Sequence, residues 1–190
     1  MNQSTKGERP SAVLRAEHQV ILRVIGVLEK LVGRVERSGG FERSVFAQCV
    51  EFFQLFADAC HHAKEEGLLF PAMEARGIPR EGGPIGVMLY EHQIARGFTR
   101  DMADALEAEG RGEPDAQRRF AAAARQYIDL LQNHIFKEDN VLFTMGDRVM
   151  TEEDQQSLCG RFCEAGCMTF GGKRREELER IADALESAWA

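Results

Sequence analysis

The sequence predicts an all-α protein: an antiparallel up-down four-helix bundle with two additional C-terminal helices. Apolar residues recur at the spacing of amphipathic helices through most of the 190 residues. Clusters of glycine and proline, together with a helix-cap sequence at Thr151, divide the chain into four long helical stretches and two shorter ones. No stretch shows the convincing alternation of apolar and polar residues that indicates a half-buried strand. The four long stretches suit a bundle, in which each helix buries one apolar face.

The first helix is predicted to begin at Ser11, a good N-cap residue. Residues 1–10 before it are polar, end at a proline and are expected to form a disordered lead-in. From Leu14 to Val35 apolar residues follow the helical period, and the Ser-Gly-Gly at 38–40 ends the pattern.

The second helix is expected from about Phe41 to about Phe70, because Pro71 disfavours its continuation. The stretch 77–84, rich in glycine and proline, is the clearest break in the chain. The third helix then begins near Pro84, a residue suited to a first helical turn, and ends around "EGRGEP".

The fourth helix is expected from near Asp115 and carries apolar residues as far as Phe143. Thr151, followed by three acidic residues, is typical of the cap of a short fifth helix. A last amphipathic helix is predicted over 173–188. We therefore expect a four-helix bundle over residues 11–148. An extension over residues 149–190 then packs on the bundle or on a dimer partner.

The composition indicates a soluble globular protein, with 44% hydrophobic and 29% charged residues. A net charge of −7 argues against nucleic acid as a partner. The sequence shows no charged start followed by an apolar stretch, so it gives no indication of secretion or membrane insertion. The five cysteines are odd in number and form no disulfide pattern, which favours a reducing cytoplasm.

An internal repeat selects the candidate functional residues. "EHQVILRV" begins at residue 17 and its counterpart "EHQIARGF" at residue 91, an offset of 74. "HHAKEEGLLF" begins at residue 61 and its counterpart "HIFKEDNVLF" at residue 134, an offset of 73. Two helix pairs are therefore nearly in register, and four of the five histidines fall at repeated positions.

The second helix offers two histidine–glutamate pairs at i, i+4, and the repeat favours one of them. His61 aligns with His134, whereas His62 aligns with Ile135. At about 100° per residue, position 61 also lies nearer than position 62 to the apolar stripe of its helix. We expect His61 with Glu65 to face the interior and His62 to face solvent.

A histidine and a glutamate one turn apart can converge on one ion without bending the helix. A cation also removes the cost of burying these groups in an apolar bundle. Four histidines with two glutamates contain too much nitrogen for calcium or magnesium and suit iron, manganese or zinc. If both glutamates bridge, two ions are implied. The candidate metal ligands are His18, His61, Glu65, His92, His134 and Glu138.

These residues resemble the hemerythrin-like family, the HHE cation-binding domain, over roughly residues 14–146. Its members are four-helix bundles with a non-haem di-iron centre between the helices. The resemblance implies two iron ions as cofactor, bridged by the two glutamates and by a solvent-derived group. It also implies that His18 and His61 serve one iron, and His92 and His134 the other.

Oxygen-carrying members of the family have a second histidine one turn along the third helix, where this chain has Met88 before His92 and Arg96 after it. That difference resembles bacterial relatives linked to iron-centre repair, to nitric oxide and peroxide responses, or to sensing. We expect a protein that binds or reacts with O2, NO or peroxide in oxidative or nitrosative stress or iron homeostasis. One alternative is a non-catalytic iron or oxygen sensor, or an iron-storage or donor module for iron-centre repair. Another is a structural helical bundle with vestigial ligands.

Several other residues have a functional and a structural interpretation. Tyr127 lies two turns before His134 and is either a packed core residue or a group near the metals. Glu17 and Glu91 either point away or contact ligand imidazoles, and Lys64 and Lys137 are expected in solvent. We expect a final group of cysteines to be buried and inert, and the alternative is that they are redox-active or metal-binding: Cys159, Cys163 and Cys167.

Overall fold

The computed structural model describes residues 9–166 and 168–189, and these form six helices and one short β-ladder. The all-α class predicted from the sequence is confirmed. The ladder pairs β1 with β2 in antiparallel register and holds only two residues in each strand. The elements are α1 (Pro10–Ser38), α2 (43–75), α3 (Pro84–Gly110), α4 (116–149), α5 (Glu152–Gly166), β1 (Thr169–Phe170), β2 (Lys173–Arg174) and α6 (Arg175–Trp189).

Helix α1 begins one residue earlier than predicted. Arg9 holds the N-cap position, and Ser11 lies inside the first turn, where its hydroxyl donates to the carboxylate of Asp147 at 2.9 Å. The helix ends as predicted, because Gly39 adopts a left-handed backbone with φ of 70° and donates its N–H to the carbonyl of Val35. Residues 1–8 of the expected lead-in lie outside the described residues.

Helix α2 does not end at Pro71, which corrects the sequence prediction. It consists of α-helical Arg43–Phe52 and Phe70–Ala75 and, between them, π-helical Phe53–His62 and Glu65–Leu69. A π-helix forms i→i+5 hydrogen bonds, so the turns of these two wide segments hold about one residue more than α-helical turns. Pro71 follows the second wide segment and lies in the first turn of the α-helical segment Phe70–Ala75, where a missing N–H is tolerated.

Helices α3 and α4 follow the prediction more closely. Pro84 lies in the first turn of α3. Helix α4 is α-helical over Ala116–Lys137, π-helical over Glu138–Leu142 and α-helical again over Phe143–Val149. The wide segment of α4 matches the second wide segment of α2, since each begins at the glutamate of the repeated sequence. The longer wide segment of α2, which ends at His62, has no counterpart in α4.

Two aromatic contacts explain that difference between the halves of the repeat. Phe46 lies against Phe120 with 4.5 Å between ring centroids, and Phe53 lies against Tyr127 with 4.7 Å. Both pairs are offset by 74 residues in the sequence, whereas His61 and His134 are offset by 73. Helix α2 therefore contains one extra residue between Phe53 and His61, and the wide segment accommodates it.

The buried apolar residues form two clusters, separated along each long helix by a buried polar layer. Helix α1 passes from Leu14 in one cluster through His18 to Ile21 in the other. Helix α3 passes in the same order from Met88 through His92 to Ala95. Helices α2 and α4 run through the clusters in the opposite order, from Ala57 to Leu69 and from Leu131 to Leu142. The polar layer holds the candidate ligands.

The two C-terminal helices cover the long helices. Helix α6 contributes Leu178, Ala182 and Leu185 to the larger cluster, and α5 contributes Leu158 and Phe162 to the smaller one. The cap predicted for α5 is present, because the hydroxyl of Thr151 accepts the backbone N–H of Asp154 at 3.2 Å. None of the helices in the described part of the chain is both long and apolar enough to span a membrane.

Candidate metal centre

The structure brings all six candidate ligands into the polar layer. One comes from α1, two from α2, one from α3 and two from α4. Each has at most 1% of its surface exposed: His18, His61, Glu65, His92, His134 and Glu138. Each histidine–glutamate pair lies where a wide helical segment begins, so that the widened turn starts at the carboxylate. A fully buried set of ionisable groups is costly unless the groups pair with each other or with an ion.

Each carboxylate reaches one histidine from each half of the repeat. The oxygens of Glu65 lie 3.6 Å from Nε2 of His61 and 3.5 Å from Nε2 of His92. An oxygen of Glu138 lies 3.2 Å from Nε2 of His18 and 3.3 Å from Nε2 of His134. The glutamates therefore lie between the two histidine pairs, which is the placement that bridging requires.

The donors form two groups, and within each group one atom per residue lies within 4.8 Å of the others. The first group contains His18, His61, Glu65 and Glu138. The second contains His62, Glu65, His92 and His134. Glu65 belongs to both. A mixed imidazole and carboxylate set of this kind suits iron, manganese or zinc.

The carboxylate oxygens in this layer test whether a cation fits. All four oxygens of Glu65 and Glu138 are buried, and no described residue donates a hydrogen bond to any of them. The Nε2 atom of His18 is also buried without such a partner among the described residues. Buried carboxylates that lack donors are costly in an apolar interior, and a metal ion satisfies them directly. The residues present therefore fit a bound cation.

The Nδ1 atoms of the four predicted histidine ligands each face a carboxylate outside the cluster. The distances are 2.9 Å for His61 to Glu17 and 2.9 Å for His134 to Glu91. They are 2.8 Å for His18 to Asp139 and 2.7 Å for His92 to Glu66. A carboxylate at Nδ1 fixes the tautomer and orients Nε2 towards a metal. Glu17 and Glu91 thus contact ligand imidazoles. Glu66 and Asp139 were not among the predicted candidates. The repeat contains a signal for them, because an acidic residue follows each of the two candidate ligand glutamates.

The two halves differ in how their outer carboxylates are covered. Lys64 pairs with Glu17 and is only 3% exposed, whereas Lys137 pairs with Glu91 and is 39% exposed. The expectation of a solvent position is therefore wrong for Lys64. Helices α5 and α6 close over it, with the ring of Phe162 at 5.7 Å from Nζ of Lys64. Arg175 of α6 also lies 3.6 Å from Glu17.

These contacts shift the pKa values of the groups around the cluster. Although burial opposes ionisation, His61 and Lys64 lower the pKa of Glu17 to about 2. Burial lowers the pKa of His61 to about 4 despite its bond to Glu17. Burial also opposes protonation of His134, but the carboxylates of Glu138 and Glu91 raise its pKa to about 9.

The pKa values of the two central glutamates are shifted in opposite directions. Burial, together with the charges of Glu138 and Glu17, holds the pKa of Glu65 well above its ordinary value. Burial acts in the same direction on Glu138, but His134 and His18 hold its pKa well below the ordinary value. In the metal-free protein the layer therefore combines a charged Glu138 with a Glu65 that resists ionisation.

His62 does not face solvent, which is the main correction to the sequence prediction for this region. It is 2% exposed and its ring lies against His92, with 3.8 Å between centroids. An α-helix would turn residue 62 away from residue 61, but the inserted residue widens the turn and brings both rings inward. The change of repeat offset from 74 to 73 was the sequence signal for this insertion.

The remaining candidates that the structure describes lie outside the layer. Tyr127 is a buried core residue whose ring packs on Phe53. Cys163 is exposed and Cys159 half-buried, so the expectation of buried thiols is wrong for these two, while Cys167 lies outside the described residues. Cys60, next to His61, is buried, and burial raises its pKa to about 11.

Fold and site together define an all-helical protein with a buried histidine–glutamate cluster suited to a metal ion. Residues 9–146 match the hemerythrin HHE cation binding domain, and the chain belongs to this family. The resemblance noted in the sequence is thereby confirmed, and it indicates a metal-binding role.

Other known proteins share parts of the sequence. An uncharacterized protein of Mycobacterium tuberculosis is 22% identical over 175 residues, which cover 92% of this chain and 68% of that protein. The iron-sulfur cluster repair protein YtfE of Dickeya chrysanthemi is 35% identical over 86 residues, which cover 44% of this chain and 38% of that protein. No solved structure matches significantly.

Proposed function

We propose that this protein is a non-haem di-iron protein whose centre binds or reacts with O2, NO or peroxide in oxidative or nitrosative stress or iron homeostasis. The observation that carries the proposal is the pair of buried glutamates without hydrogen-bond donors in the described chain, each reaching histidines of both halves. Two bridging carboxylates between two histidine pairs imply two ions. The family match and the similarity to a protein named for iron-sulfur cluster repair support iron over manganese or zinc.

The proposed fold is an antiparallel up-down four-helix bundle over residues 11–148 with a C-terminal extension over 149–190. The order of apolar clusters supports it, because α1 and α3 pass through them one way and α2 and α4 the other way. Opposite orders along consecutive helices are expected when each helix reverses the direction of the one before.

The proposed ligands are His18 and His61 for one ion, His92 and His134 for the other, and Glu65 and Glu138 as bridges. When bound, the ions supply redox chemistry towards a small ligand. The chain contributes orientation, through the four carboxylates at Nδ1. It also excludes water, since every proposed ligand is almost completely buried. A site enclosed in this way suits a diatomic molecule or peroxide better than a larger substrate.

A non-catalytic role is the second candidate: a sensor, or an iron-storage or donor module. Its support is the contact between the extension and the site, in which Arg175 and Phe162 lie against the pair of Glu17 and Lys64. Through such a contact, a change in metal occupancy can alter the packing of α5 and α6. A cytoplasmic location and a homodimer belong to the proposal on the strength of the cysteine content and the C-terminal helices.

Metal analysis of protein purified from its native host tests the di-iron proposal. We expect about two irons per chain, and an absorption band of a bridged ferric pair that changes on addition of H2O2 or NO. Turnover of the added ligand would identify an enzyme, while metal-dependent binding of a partner without turnover would identify a sensor. A stable protein that binds no metal after reconstitution would overturn both.

A further inference from the structure

The fifth histidine of the chain, His62, has the surroundings of a ligand although the six-residue set does not include it. It is 2% exposed, and its ring is nearly parallel to that of His92, with 15° between the planes. One of its nitrogens lies within 4.8 Å of donor atoms on Glu65, His92 and His134. A buried imidazole among three other donors is placed where a metal would satisfy all four.

The two nitrogens of His62 are arranged as in the other four histidines. Nδ1 lies 3.4 Å from Oδ1 of Asp58, and Asp58 is held in turn by Arg96, whose Nε lies 2.7 Å from the same oxygen. With Nδ1 directed to a carboxylate, Nε2 is the nitrogen left for the polar layer. A carboxylate at Nδ1 is the usual outer partner of a metal-bound imidazole.

The position exists in one half of the repeat only. The residue equivalent to His62 is Ile135, which follows His134 in α4 and is buried in the larger apolar cluster. Helix α4 is regular there, while α2 carries the inserted residue that turns position 62 inward. The extra imidazole and the wide segment thus occur together.

We propose that His62 is a metal ligand, which binds through Nε2 the ion held by His92 and His134. This inference rests on the proposed dinuclear function and makes its two ions unequal. The ion on the α3 side has three imidazoles, and the ion on the α1 side has two. The third imidazole comes from α2, not from the position of Met88 on α3. We expect the ion with three imidazoles to be retained more strongly during chelation.

The variant His62→Phe tests the proposal in the full chain loaded with iron. Phenylalanine keeps an aromatic ring against His92 but removes both nitrogens, so a packing role survives and a ligand role does not. In competition with a chelator, we expect one ion to be lost more readily by more than about tenfold and the other to change little. The matched control is Asp58→Asn, which keeps His62 and alters its outer partner together with the contact of Asp58 with Arg96, and its effect should be smaller.

A second measurement uses the wild-type protein and does not depend on a variant that folds. High-spin Co(II) shifts the resonances of protons on its ligands, and each imidazole bound through Nε2 retains one exchangeable proton on Nδ1. In protein loaded with Co(II) and labelled with 15N-histidine, we expect five such shifted signals. Four signals would overturn the proposal, as would His62→Phe protein that retains both ions as the wild type does.

Different results would overturn this inference and the proposed function. Wild-type protein that binds two ions but shows four shifted signals would remove His62 from the centre and leave the dinuclear function intact. Wild-type protein that binds fewer than two ions would remove the dinuclear function. With one ion bound, three shifted signals would still place His62 with His92 and His134, and two signals would remove it; protein that binds no ion would overturn both.

Discussion

Nδ1 of His61 lies 2.9 Å from the carboxylate of Glu17, the residue that precedes His18 on the neighbouring helix. The same relationship joins His134 to Glu91, the residue that precedes His92. The repeat therefore encodes the outer partners of its histidines as well as the histidines themselves. The two copies differ in burial, since Glu17 is fully buried and the side chain of Glu91 is 13% exposed.

Replacement of the outer carboxylates should weaken metal binding unequally. We expect Glu91→Gln to lower metal affinity about 10-fold and Glu17→Gln closer to 100-fold, the range found for outer partners of ligand histidines. The larger effect follows because Glu17 neutralises the buried Lys64 and also Arg175, whereas Glu91 pairs with the more exposed Lys137. Competition with a coloured chelator measures both. Equal losses in the two variants would show that burial of the pair does not matter to the metal.

Lys64 and Lys137 occupy equivalent positions, so they form a matched pair for a stability measurement. Lys64→Met should lower the free energy of unfolding of the metal-free protein by about 3 kcal/mol, because it removes one partner of a buried ion pair. Lys137→Met should change it by no more than about 0.5 kcal/mol, as expected for an exposed side chain. Urea unfolding followed by circular dichroism measures both. The prediction fails if the two variants have the same midpoint.

Glu65→Gln should abolish metal binding and yet stabilise the metal-free protein. The raised pKa of Glu65 means that its ionisation opposes folding above the pKa of the unfolded state, near 4. An amide removes that cost, so we expect a gain of about 1–2 kcal/mol at pH 7. The gain should vanish as the pH falls below about 4, where the carboxyl is protonated in both states.

The neighbouring residue provides the control for Glu65. Although burial opposes ionisation of Glu66, hydrogen bonds from His92 and Arg96 lower its pKa. Its charge therefore stabilises the fold above the unfolded-state pKa, and this contribution is lost as the pH falls through the folded value. Glu66→Gln should accordingly lower the stability of the metal-free protein at pH 7. Stabilisation by both variants would count against the environments described for the two carboxyls.

Metal uptake should release protons near neutral pH. In the metal-free protein His134 has its pKa raised to about 9, and the pKa of Glu65 is raised as well. Both groups must lose their protons to bind a metal. Metal affinity should therefore rise with pH through neutrality and level off above about pH 9. Calorimetry in buffers of different ionisation enthalpy counts the protons, and a count of zero at pH 7 would contradict the expected protonation of His134.

The sequence was sufficient for the helical class, and its repeat selected six residues that share one buried layer. Those features depend on the apolar period and on the repeat, both of which are local patterns. Pro71 and His62 were misassigned because hydrophobic periodicity assumes 3.6 residues per turn throughout. The structure departs from that value at three wide segments. The contacts of Lys64 with α5 and α6 depend on how distant elements pack, which no local pattern contains.

The extra residue between Phe53 and His61 has a consequence for how duplicated chains diverge. The aromatic pairs before it still meet, and after it a donor atom of Glu138 still lies within 4.8 Å of donor atoms of His61 and Glu65. The widened turn absorbs the added length, so neither neighbouring loop has to change. A single inserted codon can in this way make two initially identical binding positions different, while the rest of the duplicated framework remains as it was.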